Sequence, residues 1–228
     1  MALGGVKRIC GAVILLVCAL VLVFYCAALI QLVALRWIDP TTTMVQTQRR
    51  IEAWLNHRPY QKRYRFVSLS RISPALQHAV ISAEDGRFYD HHGIDWKEVE
   101  QVIDQDFEER RLGRGGSTIT QQLIKNLFLT THRSFIRKAV EFTLAPVAEK
   151  ILSKRRILEL YLNVIEWGPG IYGADEAART WYGLPAARIN REQAARLAAL
   201  IPAPLRRKPA RMTWYSAEIE RRMTQRGW

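Results

Sequence analysis

Fourteen residues, SAEDGRFYDHHGID (82–95), gather four carboxylates, Glu84, Asp85, Asp90 and Asp95, with two adjacent histidines and two glycines. A carboxylate positioned beside a reacting hydroxyl can accept its proton in the transition state, a contribution of about 10² to 10⁴ in rate. Further along the chain Ser117, Gln121 and Lys125 recur every fourth residue, as do Arg133, Arg137 and Glu141. On a helix that spacing stacks side chains on one face. The first row offers hydroxyl, amide and ammonium groups that suit phosphate or sugar, and the second pairs guanidinium with carboxylate. Each row alone is also what a solvated helix face carries for solubility.

These residues sit in a chain of net charge +13, and +11 remains once Lys7 and Arg8 are set aside. A basic field attracts nucleic acid by counterion release, or anionic lipid at about 1 kcal/mol per basic residue near the surface. The run from Ile9 to Leu35 carries no charge and is almost wholly aliphatic. At about 1.5 Å per residue it exceeds a hydrocarbon core of about 30 Å. It is far longer than the roughly 7 to 15 apolar residues of a cleaved signal peptide, so an uncleaved anchor is expected. Tethering favours lipid over nucleic acid as the partner, and no nucleic-acid motif intervenes. Cys10, Cys18 and Cys26 all lie in this run. The remaining residues are therefore free of disulfides and rely on a packed core, which a chain of about 190 residues can supply.

The elements that must hold the candidate residues follow from periodicity. Residues 36–73 read as an irregular approach, with a short strand in RYRFVSLSRIS. From Pro74 the apolar residues Leu76, Ala79, Val80 and Ala83 keep helical spacing and Gly86 offers a stop, which puts Glu84 at a helix C-terminus, where an ionised carboxylate is mildly disfavoured. A helix is expected from Trp96 to about Arg111, followed by a loop with Gly113, Gly115 and Gly116. Ser117 then opens a helix with Ile119, Leu123, Ile124 and Leu127 inward. Further helices are expected at 134–152, bending at Pro146, and at 154–166, 173–182 and 190–200, the last with an Asn190–Gln193 capping box.

Four segments in order, EDGRFYDHHG (84–93), GGSTITQQLIKN (115–126), RKAVE (137–141) and ILELYLN (157–163), closely resemble the signature motifs of the peptidoglycan glycosyltransferases, the lipid II polymerases found alone or fused to penicillin-binding transpeptidases. The likeness runs from about residue 68 to 205. It implies a mainly α, lysozyme-like helical catalytic domain preceded by one N-terminal transmembrane helix. The corresponding division is a cytoplasmic N-terminus (1–8), a signal-anchor helix (9–35), a membrane-proximal segment (36–67) and a glycosyltransferase domain (68–228). No Ser-x-x-Lys with a downstream Lys-Thr-Gly occurs, nor a P-loop or His-Glu-x-x-His site, so the monofunctional form is expected.

The resemblance implies that the 4-hydroxyl of lipid II attacks the anomeric carbon of a growing polyprenyl-pyrophosphate-linked glycan, extending β-1,4 strands with inversion. Glu84 matches the base. Lys125 and Arg133, helped by Arg137, match the cations that meet the departing pyrophosphate, where a divalent metal, Mg or Mn, is an expected helper with no ligands assigned. Ser117, Gln121 and Asn126 are expected at phosphate or sugar, and amides at Gly115–Gly116–Ser117 would add an anion site. Glu141 matches the second essential glutamate, in a supporting or direct role. Asp85, His91 and Gly93 belong to the turn, and Phe88 is expected to pack into the core. No organic cofactor is expected. Expected partners are lipid II, the growing glycan, the bilayer, and cell-division or elongation proteins, with the catalytic domain on the periplasmic side of the inner membrane. A lytic peptidoglycan hydrolase and a non-catalytic lipid II-binding scaffold are the alternatives.

Overall fold

The computed structural model of the chain describes residues 2–100 and 116–228, which form two compact units, one through Ile38 and one from Asp39 to Trp228. The first unit is helix α1 (Ala2–Ala34), whose segment Gly11–Ala34 has a mean hydropathy of 3.2. Among the described residues it is the one helix long and apolar enough to cross a membrane.

The second unit is mainly helical. It contains α2 (Met44–Leu55), α3 (Pro74–Glu84), α4 (Ile119–Phe128), α5 (Phe135–Ile151), α6 (Lys154–Val164), α7 (Ala174–Tyr182), α8 (Arg191–Ala198) and α9 (Thr213–Gln225). A small sheet of β1 (Arg63–Tyr64), β2 (Glu166–Gly168) and β3 (Ile171–Tyr172) has the order β1-β3-β2, with β1 parallel and β2 antiparallel to β3. Side-chain caps begin most helices as the sequence suggests. Ser73 caps α3 with Pro74 in its first turn, Ser134 caps α5, and Asn190 and Gln193 close the expected box on α8.

Two groups of helices bring the motifs together. In one, α3 packs on α8 and α9; in the other, α4 packs on α5, α6 and α2. Ile119, Leu123 and Ile124 are fully buried on α4 and Leu127 nearly so, as their spacing requires. Trp167, Tyr161, Tyr172 and Phe88 are the largest fully buried side chains.

Three features differ from the periodicity reading. The stretch 36–73, expected to be irregular apart from a strand, contains α2, capped by Thr43 with Val45, Gln46 and Gln48 buried. Two of those three are polar, so no apolar stripe advertises the helix. The helix α9 was likewise not expected, since its TWYSAEIERRMTQ sequence reads as polar over most of its face. Finally, α4 starts at Ile119 with Thr118 as its cap, not at Ser117. Of the helix expected from Trp96, residues 96–100 are helical. Its remainder, with Gly113 and Gly115, lies outside the described residues.

Candidate active site

Glu84 is the last residue of α3 and Asp85 its C-cap. The Asp85 carboxylate is buried and accepts from His91 Nε2 at 2.9 Å and from the backbone N–H of Ile119 at 2.9 Å. The N–H of Gly93 donates to His91 Nδ1 at 3.2 Å, so the ring proton sits on Nε2, facing Asp85. Thr118 Oγ1 donates to the Gly93 carbonyl at 2.6 Å. These bonds lash the end of α3 to the start of α4 and thereby fix where Glu84 emerges. Gly93 has φ +93°, and a Cβ there would lie 2.7 Å from the backbone carbonyl carbon of Ala145, so only glycine permits this turn to rest against α5.

Gln122 Nε2 donates to Glu84 Oε2 at 2.8 Å, and Tyr161 OH donates to Gln122 Oε1 at 2.9 Å. Loss of surrounding water pushes the Glu84 carboxyl above the ordinary carboxylate range; the Gln122 hydrogen bond and the charges of Lys125 and Arg207 oppose that rise, while Asp85 adds to it. A carboxylate made more basic than usual accepts a proton more readily. Burial pulls the Lys125 ammonium below its usual range, with Glu141 and Glu84 opposing and Arg137 reinforcing the effect. Lys125 therefore lies within electrostatic reach of both glutamates, and it has no hydrogen-bond acceptor among the described residues.

Glu141 is buried on α5. Lys138 Nζ lies 3.1 Å from its Oε2 and Arg137 3.4 Å from its Oε1. Neither Glu141 Oε1 nor Arg137 Nε has a hydrogen-bond partner among the described residues. The same Lys138 ammonium donates to Ser117 Oγ at 2.8 Å. A cavity of about 790 Å³ opens beside this assembly, lined by Glu84 and Ser117 on one side and by Tyr215, Glu218, Arg222 and Arg226 of α9 and its end on the other. Arg226 Nε donates to the Gly86 carbonyl at 3.2 Å, which ties the end of α9 to the Glu84 turn.

The structure thus gathers Glu84, Asp85, His91, Gly93, Ser117, Lys125, Arg137 and Glu141. Other expected site residues are placed elsewhere. Gln121 is fully buried and its Oε1 accepts from the Thr118 N–H, completing a capping box, while its Nε2 has no hydrogen-bond partner among the described residues. Asn126 is buried and donates to the carbonyl of Gln122 in its own helix. Arg133 is exposed, with no partner among the described residues. Phe88 is fully buried with the Lys154 ammonium 4.4 Å from its ring centre. Of the Gly115–Gly116–Ser117 amides expected to form an anion site, Gly115 lies outside the described residues. The N–H groups of Thr118, Ile119 and Gln121, which follow them, donate to Gln121, Asp85 and Thr118.

Gln122, Lys138 and Tyr161 complete the site and were not among the expected site residues. The Thr118-x-x-Gln121 capping signal was present in the sequence and fixes the helical phase that aims Gln122, not Gln121, at Glu84. Asp85, His91 and Asp95 are the one cluster of metal-ligand type among the described residues. Arg87 binds both oxygens of Asp95, at 2.7 and 2.8 Å, and Asp85 and His91 hold each other and the backbone. With those lone pairs engaged, the cluster is a brace and does not fit a metal ion.

Residues 49–226 match the family model described as transglycosylase. The biosynthetic peptidoglycan transglycosylase of Laribacter hongkongensis is 43% identical over 169 residues, 74% of each chain. That of Pseudomonas aeruginosa is 40% identical over 211 residues, 90% of each chain. That of Rhizobium leguminosarum bv. trifolii is 41% identical over 222 residues, 96% of this chain and 91% of the relative.

Proposed function

The chain belongs to the transglycosylase family, lysozyme-like and helical, and is a peptidoglycan glycosyltransferase; from that membership we propose that it polymerises lipid II with Glu84 as the base. The acceptor's 4-hydroxyl gives its proton to Glu84 as its oxygen bonds to the anomeric carbon of the donor. The bond from that carbon to the polyprenyl pyrophosphate breaks on the opposite face, with inversion. Pyrophosphate leaves as a stable anion and needs no acid. Lys125, Arg137 and Lys138 supply positive charge beside the reacting centre, where fixed cations act most strongly on developing charge. Arg133, exposed at the approach to α5, is available to the lipid phosphates. Glu141 orients Arg137 and Lys138 through its two ion pairs. The Mg or Mn expected at the pyrophosphate enters no step here, since the one described cluster of ligand type is already engaged.

The observation that carries this reading is the geometry at Glu84, whose carboxylate is held by Gln122 at 2.8 Å at the wall of a cavity of about 790 Å³, with the half-buried Lys125 ammonium, which has no acceptor among the described residues, within its electrostatic reach. A lytic hydrolase needs an acid for a poor alcohol leaving group and gains nothing from such a cation. The apolar α1 anchors the chain in the inner membrane with the second unit in the periplasm, where lipid II is presented.

Full-length protein incubated with labelled lipid II tests the proposal. Ladders of polymer are expected, and release of soluble fragments from finished peptidoglycan instead would replace it with the hydrolase. Turnover of neither kind would leave a binding scaffold.

A further inference from the structure

Gln122 has every polar atom of its amide engaged. Its Oε1 accepts from Tyr161 OH at 2.9 Å, and its Nε2 donates to Glu84 Oε2 at 2.8 Å and to the Ser117 carbonyl at 3.3 Å. Tyr161 is fully buried on α6. Burial, followed by the charges of Glu84 and Asp85, pushes its phenol far above the ordinary range, so the hydroxyl keeps its proton and remains a donor. Turning the amide over would set Gln122 Oε1 against the Glu84 carboxylate and the Ser117 carbonyl, acceptor against acceptor. The phenol therefore selects the amide orientation, and the amide in turn holds one carboxylate oxygen.

We infer that Gln122, oriented by Tyr161, is a positioning residue that ties down Oε2 of Glu84 and leaves Oε1 as the oxygen that receives the acceptor's proton. This rests on Glu84 being the base, as proposed above. A carboxylate free to rotate would present either oxygen in any direction, and general-base catalysis depends on reach to one proton. A single donor fixed at both ends by the protein removes that freedom. Both N–H groups of the amide are used, so Gln122 also sets the distance between Glu84 and the Ser117 backbone.

A plain packing pin between α4 and α6 would account for the same contacts, but it makes a different prediction. The charged and titratable groups that bear on the Glu84 carboxyl are Asp85 beside it, Lys125 of α4, Arg207 before α9, Tyr161 of α6 and Tyr215 of α9. Gln122 adds a hydrogen bond that favours the ionised form. Removing that bond raises proton affinity at Glu84 while leaving the surrounding charges in place.

The test uses the full chain in detergent. Glu84 is titrated by pH-difference infrared spectroscopy, its carboxyl band identified by its loss in Glu84→Gln. In Gln122→Met, close in shape and without donors, the midpoint should rise by about one pH unit, the worth of one hydrogen bond to a charged group. Tyr161→Phe, which frees the amide to turn, should move it the same way by less. The acid limb of kcat/KM for lipid II polymerisation should shift upward with the midpoint in both. Midpoints unmoved in folded Gln122→Met would overturn the inference, and if that variant fails to fold, an unmoved midpoint in Tyr161→Phe does so. A midpoint that rises while the acid limb stays in place would also overturn it. Wild-type protein that fails to polymerise lipid II would instead remove the base role of Glu84, a separate result, since the infrared midpoints are read without turnover.

Discussion

The Lys138 ammonium lies 3.1 Å from the Glu141 carboxylate and at the same time donates to Ser117 Oγ at 2.8 Å. Gln122 Nε2 touches the Ser117 carbonyl and Glu84. A continuous hydrogen-bonded path therefore joins Glu84 to Glu141 through Gln122, Ser117 and Lys138. The two glutamates come from helices α3 and α5, and the residues between them hold their separation without either carboxylate touching the other.

Breaking that path at Lys138 should couple to Glu141. Lys138→Met and Glu141→Gln, combined in a double-mutant cycle on polymerisation rate, should show an interaction of about 1 kcal/mol or more, because each removes the partner of the other. Additive effects would mean that Lys138 serves Ser117 alone.

Glu84→Gln should lower the polymerisation rate by about 10² to 10⁴ and, in the same protein, raise thermal stability at neutral pH. The folded-state pKa of Glu84 is raised, so its carboxyl favours the folded state when protonated, and that advantage is lost as pH climbs through the folded value. The neutral amide avoids the loss. Melting curves should separate variant from wild type at pH 7 and converge as the pH falls below the ordinary carboxylate value; a variant less stable than wild type at pH 7 would show that Glu84 carries no burial cost.

Removing charge at Lys125 should differ from removing it elsewhere. Lys125→Met should reduce turnover by about tenfold or more, as expected of a cation fixed beside developing charge, whereas Lys208→Ala at an exposed position should leave it within about twofold. Equal losses in the lipid II assay would assign the effect to overall charge.

Gly93→Ala should destabilise the second unit by about 2 kcal/mol or more. Positive φ and contact with backbone both oppose the new methyl group, and backbone cannot swing aside as a side-chain tip can. Chemical denaturation followed by circular dichroism checks this, with Gly183→Ala as a comparison, where φ is +69° but nothing lies within 4 Å of the added Cβ. Equal losses at the two positions would leave only the backbone strain.

Much was legible in the chain itself. An uncharged run from Ile9 to Leu35 marks a helix long and apolar enough to cross a membrane, because charge is costly in hydrocarbon, whatever lies around it. The inward residues Leu76, Ala79 and Val80 of α3 and Ile119, Leu123, Ile124 and Leu127 of α4 follow from spacing, since helical periodicity is a property of local sequence. Ordered motifs named the family because they preserve residue types in sequence order. Local sequence does not reveal which polar side chains meet. One residue turns a helix by about 100°, so the cap at Thr118 sent Gln121 into the core and aimed Gln122 at Glu84. Distances between helices far apart in sequence then made Lys138 a link to Ser117, left Arg133 in solvent and brought α9 against the Glu84 turn. The sequence by itself determined the apolar N-terminal helix, the helical class and the family, and offered the glutamates as candidates. Tertiary packing decided which neighbours hold those glutamates, because hydrogen bonds act over about 3 Å and only the folded chain sets such separations.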